Sequence, residues 1–243
     1  MISDPCVLVT AVRTETRAVL ETLRNVRRSN LAGVRRWQGR SPGRSVIVVE
    51  AGIGRSHARR ALEAVPPPHG PVICVGFAGA LVSAAKPGDV VLPTSIVWEE
   101  QGGLQRYEIS QPAWQRIEGH VATMNCGTLW QGPILSSPTI IASPDDKHDA
   151  CLRTGAVAVE MEAAGLVPVV RERGVELFVV RAVLDTADVS LADLPSELDS
   201  SWAARAELFR RPRAWVPLWK VARHIPRASR NLREAMTAVW AAL

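Results

Sequence analysis

Three short apolar runs, two of them ending in small residues, constrain this chain most. Val7–Ala11, Val46–Glu50 and Val72–Phe77 show almost no polar alternation, which marks strands covered on both faces. The second and third lead into Gly52-Ile53-Gly54 and Ala78-Gly79-Ala80, the latter expected as a turn. Between them the spacing predicts a helix from about Thr14 to Val26, with Val19, Leu20 and Leu23 on one face. A second helix is expected through Ala58, Ala61, Leu62 and Val65, stopped by Pro66-Pro67-Pro68. Asp89–Trp98, crossed by Pro93, reads as another strand, and Val157–Glu160 and Leu177–Leu184 bracket a helix starting near Glu162. Glu99–Pro112 reads as an irregular loop. The expectation is an α/β fold: a single domain with a central mixed β-sheet flanked by helices, plus a C-terminal amphipathic helical tail. With 243 residues, 47% of them hydrophobic, the chain can bury one large core.

Several classes are excluded at this level. No stretch approaches the ~20 apolar residues of a spanning helix. Met1-Ile2-Ser3-Asp4-Pro5 carries no basic leader, and the run from Cys6 to Val12 reads as a first strand rather than a signal peptide. Cys6, Cys74, Cys126 and Cys151 show no C-x-x-C pair, so no metal site and no disulfide framework are expected, and the cytoplasm is the default location. The net charge of +5 is uneven: residues 210–243 carry +7 and residues 1–209 carry −2. A second acid-free stretch holds Arg24, Arg27, Arg28, Arg35, Arg36, Arg40 and Arg44. Such runs are either solvated surface or a face for anionic partners.

Three segments carry candidate chemistry. Gly52-Ile53-Gly54, between strand and helix, lets a ligand approach the backbone, or is simply a tight turn. Glu160-Met161-Glu162 follows a buried run, so a carboxylate is expected where strand meets helix; its alternative is an acid pair favoured by the helix dipole. Asp185-Thr186-Ala187-Asp188 ends an apolar strand, where ligands enter open α/β sheets, although capping of a following helix would use the same residues.

Together these segments resemble the purine nucleoside phosphorylase superfamily, and within it the 5'-methylthioadenosine/S-adenosylhomocysteine nucleosidases. The matching residues run from Thr10-Ala11-Val12-Arg13-Thr14-Glu15 through Ala51-Gly52-Ile53-Gly54, Val75-Gly76-Phe77-Ala78-Gly79-Ala80-Leu81 and Pro87-Gly88-Asp89-Val90-Val91. They continue with Val159-Glu160-Met161-Glu162-Ala163-Ala164 and Arg181-Ala182-Val183-Leu184-Asp185-Thr186-Ala187-Asp188. The resemblance implies cleavage of an N-ribosidic bond. Asp185 would be the acid at N7 of an adenine-like base, and Glu15 would orient the attacking water. Glu162 would accept from both ribose hydroxyls, and Met161 would pack under the sugar. Glu160, Gly52, Gly54, Phe77, Ala78, Gly79, Ile140 and Ile141 would complete the substrate site. No cofactor is implied, with phosphate a conceivable co-substrate.

Departures from the family pattern bear on that last point. Phosphorylases place an arginine before V-G-S and use that serine on the anion; Cys74 and Phe77 stand here, which favours water over phosphate. In the base pocket the usual residues become Ser136-Ser137-Pro138, with Ile140 where an aromatic often stacks. The chain divides by expectation into a catalytic region, 1–209, and a basic extension, 210–243. In the extension, Leu218, Val221, Ala222 and Ile225, then Leu232, Met236, Val239 and Leu243, form apolar faces opposite basic residues, with Trp215, Trp219 and Trp240 added. Two readings stay open: packing on the protein's own core or a second subunit, and peripheral contact with an anionic membrane. The tail also resembles that of the hopanoid-biosynthesis-associated phosphorylases, which implies adenosylhopane as substrate; the small nucleosidase substrates are the alternative. The expected partners are a 5'-substituted adenosine and a second copy in a homodimer. Nucleic acid is not among them, despite 26 arginines.

Overall fold

In the computed structural model, which describes residues 5–31, 33–67, 70–109, 111–191 and 215–243, the first strand lies in the interior of the sheet. β1 (Cys6–Thr10) is buried throughout and pairs in parallel with β4 (Arg44–Glu50) on one side and β5 (Val72–Ala80) on the other. Leu8 sits opposite both Val48 and Ile73, so the three apolar runs are adjacent in space. β5 continues in parallel into β10 (Leu177–Asp185). β6 (Val90–Glu100), β8 (Leu129–Ser136) and β9 (Ala158–Glu160) then lead from β10 back to β5, so these five strands close on themselves. β1, β4, β3 (Val34–Ser41) and β2 (Arg24–Leu31) form an open arm. Parallel and antiparallel pairs mix as expected, and helices α1 (Arg13–Leu20), α2 (Arg55–Glu63) and α5 (Ala163–Arg173) flank the sheet.

Local chemistry changes three of the expected elements. The first helix stops at Leu20 instead of Val26: Thr22 donates through both its amide and its hydroxyl to the Val19 carbonyl, and Asn25 takes a left-handed φ of 53°. The arginine-rich segment beyond is therefore the β2–β3 hairpin, whose exposed charges guard the edge of the arm against pairing with other chains. Glu99–Pro112 is no loop, because Gly102 and Gly103, both at φ 112°, turn the chain into β7 (Gly103–Glu108) against β6. Ala78-Gly79-Ala80 is not a turn either but the end of β5, held between β9 and β10.

The boundary expected at residues 209 and 210 lies outside the described residues, as do Arg210, Arg211, Arg213 and Pro68. α6 (Trp215–Ala222) leaves Trp219 66% exposed, with Arg223 stacked 5.5 Å from its ring centroid. α7 (Ile225–Ala242) takes the packing alternative. Its face of Leu232, Ala235, Met236 and Val239 is fully buried against α1, α3 (Gln111–Ala122) and β10. Polar bonds pin it as well: Asn231 donates to the Gly88 carbonyl at 2.7 Å and Trp240 to the Thr22 hydroxyl at 2.9 Å. Leu232→Ala or Met236→Ala should therefore cost about 2–5 kcal/mol of unfolding free energy. A urea midpoint equal to that of the wild type would show that α7 does not belong to the core.

Candidate active site

The carboxyl ends of β1, β5, β9 and β10 meet at one place, and a buried arginine lies beneath it. Arg181 on β10 is 1% exposed, and its Nη2 reaches Glu160, Glu162 at 3.3 Å and the Cys74 sulfur at 3.0 Å. Gly76 makes room for this guanidinium: a Cβ there would press on Arg181 and stand 2.6 Å from Glu15 Oε1. Glu160 ends β9 and turns its carboxylate onto the start of α5, accepting from the amides of Glu162 and Ala163, each at 2.9 Å. Its oxygens are thus committed to Arg181 and to orphan amides of a helix N-terminus.

Glu15 lies in the first turn of α1 but points back towards the sheet. Its Oε2 accepts from the amides of Ala11 at 2.8 Å and Val12 at 3.0 Å, and its Oε1 accepts from Phe77 N–H at 2.8 Å. Burial raises its pKa above the ordinary carboxylate value, while Arg181 and the three amides pull it down. Glu162 accepts from Gly54 N–H at 3.0 Å. Burial pushes its carboxyl up to about 7; Arg181 opposes the rise, and Glu160 and Glu15 add to it. Burial likewise holds the Cys74 thiol well above its usual value.

Asp185 closes β10 just past an irregularity that shifts its register against β5 by one residue. Such a bulge re-aims a side chain. Gly79 lies opposite, and a Cβ there would come to 3.1 Å from both carboxylate oxygens. No motif in the sequence names the partner of Asp185. Lys147, 1% exposed on α4 (Pro144–Thr154), donates to Asp185 Oδ2 at 2.6 Å. In the polar run Pro144-Asp145-Asp146-Lys147-His148-Asp149 it looks like a solvated lysine. The only sequence signal is helical spacing, since Lys147, Ala150 and Thr154 form the buried face of α4.

These groups surround a cavity of about 250 Å³. Glu15, Glu160, Met161, Glu162 and Asp185 line it, and so do Phe77, Ala78, Gly79, Ile140 and Ile141. Ile53, Leu191 and Val221 of α6 add apolar surface. Gly52 and Gly54 do not line it. At φ 96° and 102° they bend the chain so that the Gly54 amide anchors Glu162 from behind. Asp188 is exposed and accepts from the Thr186 hydroxyl, outside the cavity. Asp89, in the Pro87–Val91 match, is buried away from it and accepts from Lys86 N, Thr128 N and Trp130 Nε1. Among the described residues no group of three His, Cys, Asp or Glu could hold a metal ion.

Three carboxylates gathered on one arginine under a cavity repel one another and are costly to keep for stability alone, and this is the economy of an enzyme site. The chain belongs to the phosphorylase superfamily, whose profile matches residues 5–209. Among curated relatives it is 26% identical over 209 residues to the 5'-methylthioadenosine/S-adenosylhomocysteine nucleosidase of Shewanella baltica, covering 79% of this chain and 87% of that one. With the enzyme of the same name from Buchnera aphidicola it shares 21% over 201 residues, 76% of this chain and 80% of the other. The fold matches two Helicobacter pylori structures, each at 19% identity with a TM-score of 0.79. One is a 5'-methylthioadenosine/S-adenosylhomocysteine nucleosidase, covered fully on both sides; the other is a futalosine hydrolase, with 99% of this chain and 98% of that one covered.

The energetic centre is Arg181. Arg181→Met should cost about 3–5 kcal/mol by leaving buried carboxylates without their counter-charge. Denaturant titration reads this directly, and an unshifted midpoint would mean that the cluster needs no cation.

Proposed function

We propose that the chain hydrolyses the N-ribosidic bond of a 5'-substituted adenosine and releases adenine. The observation that carries this reading is the gathering of Glu15, Met161, Glu162 and Asp185 around one cavity. Breaking the C1'–N9 bond sends its electron pair to the base and leaves positive charge on the sugar. Asp185 lowers the barrier by giving a proton to N7, so that the base departs neutral. Glu162 accepts from the 2'- and 3'-hydroxyls, Met161 lies against the sugar, and Glu15 takes a proton from the water that attacks C1'. Glu160, with its oxygens already engaged, positions Arg181 and α5 rather than touching substrate.

Water is favoured over phosphate by three features. Cys74 is buried against Arg181, Phe77 puts a hydrocarbon ring on the cavity wall, and the arginines of the β2–β3 hairpin line no part of it. Incubation with 5'-methylthioadenosine, with and without phosphate, tests this: adenine should appear in both, and 5-methylthioribose-1-phosphate in neither. The finer reading, adenosylhopane as substrate, is supported by the apolar Ile53, Leu191 and Val221; the small nucleosidase substrates are supported by the relatives. A series of 5'-alkylthioadenosines separates them. Rising or constant kcat/KM with chain length fits a lipid-linked substrate, and a steep fall fits the small ones. A homodimer, and membrane contact through the tail around Trp219, belong to the same reading and are tested by sedimentation alone and with anionic vesicles.

Asp185→Asn should fold normally and lose about 10²-fold or more in kcat, because an amide cannot deliver the proton. Near-wild-type turnover would remove Asp185 from the chemistry. Glu162 supplies a pH test. Below about 7 its carboxyl is protonated and accepts poorly from two hydroxyls; above that it is ionised, so KM should fall as pH rises through about 7. Glu162→Gln should abolish that dependence, and a KM profile common to both proteins would assign it elsewhere.

A further inference from the structure

Lys147 spends a buried charge where packing alone would favour a hydrocarbon. Its side chain is 1% exposed, and its ammonium makes three hydrogen bonds: to Asp185 Oδ2 at 2.6 Å, to the Thr186 carbonyl at 2.8 Å and to the Val189 carbonyl at 3.2 Å. Those three acceptors use all three ammonium protons. Burying an ammonium is costly unless it is paired and hydrogen-bonded, and here the pairing falls on the one carboxylate assigned to the leaving base. Arg181 serves Glu160 and Glu162.

We infer that Lys147 is the positioning residue and counter-charge of Asp185, an inference that rests on the nucleosidase reading above. Its ammonium ties down Oδ2, so that Oδ1 is the oxygen turned to the base. When the proton leaves Asp185 for N7, a carboxylate forms beside a cation already in place. The resting ion pair is broken when Asp185 takes a proton from solvent and is restored when that proton passes to N7, so Lys147 favours the transfer step itself rather than substrate binding. The same ammonium holds the Thr186–Val189 segment, which leads to Leu191 on the cavity wall. Lys147 thus sets both the orientation of the acid and the chain that follows it.

The experiment compares two substrates that differ in the leaving group. 5'-Methylthioadenosine needs its base protonated, whereas 4-nitrophenyl β-D-ribofuranoside releases a stable phenolate that needs no proton. Lys147→Met should lose on the order of 10²-fold in kcat on the first, with KM nearly unchanged, and keep wild-type kcat on the second. Equal losses on both substrates, or a loss confined to KM, would overturn the inference and leave Lys147 a purely structural residue. Lys147→Gln, which keeps a donor but no charge, is read in the same way and should show the same selectivity. If neither variant folds, as judged by circular dichroism, the lysine's role is structural and the inference fails. Wild-type enzyme that releases no adenine from 5'-methylthioadenosine or from any longer 5'-alkylthioadenosine would instead reject the nucleosidase reading itself.

Discussion

The cluster around Arg181 organises this protein. One guanidinium, buried in the middle of β10, neutralises carboxylates that arrive from three other parts of the chain: Glu15 from α1, Glu160 from the end of β9, and Glu162 from the start of α5. Each carboxylate in turn accepts hydrogen bonds from backbone amides. Without the arginine the acids would repel one another in a medium of low dielectric, and without the acids the arginine would be an isolated buried charge. The strand ends are held at their mutual distances by this balance. Gly76 is part of the same solution, because any side chain there would occupy the space of the guanidinium.

The site then divides by electrostatics. On the Arg181 side, crowded carboxylates and burial push Glu162 to about 7 and raise Glu15, the property expected of groups that exchange or accept protons near neutrality. On the Asp185 side, a single acid is held by a single lysine across from Gly79. Two separate cations thus serve the two halves of the cavity. Aliphatic residues such as Ile53, Ile140, Ile141 and Leu191 make up much of the remaining wall.

The C-terminal segment shows how one amphipathic pattern is put to use in folding. α7 carries apolar residues at helical spacing, and its neighbours α1, α3 and β10 present a matching apolar surface that burial fills. The face that a bilayer could have accepted on α7 is spent inside the protein. Trp219, on the preceding short helix, stays exposed, and Val221 two residues on reaches the cavity wall.

Much of this was legible in the chain itself. The apolar runs placed β1, β4, β5 and β10 because strands buried on both faces leave no polar alternation, and the family motifs named most of the side chains that line the cavity. Short-range geometry was less legible. Whether Thr22-Leu23 continues a helix, or Gly102-Gly103 reverses a strand, depends on which surface receives the next residues. Least legible was what requires two distant segments to meet. Apart from its helical spacing with Ala150 and Thr154, nothing local to Lys147 distinguishes it from a solvated lysine, and nothing local to Gly52 and Gly54 says that they back Glu162 rather than touch a ligand. Local sequence determines which residues prefer strand, helix or turn, because those preferences arise within a few residues. The pairing of Lys147 with Asp185 across 38 positions, and of Arg181 with its carboxylates, was decided only when packing excluded water and made each buried charge find its partner.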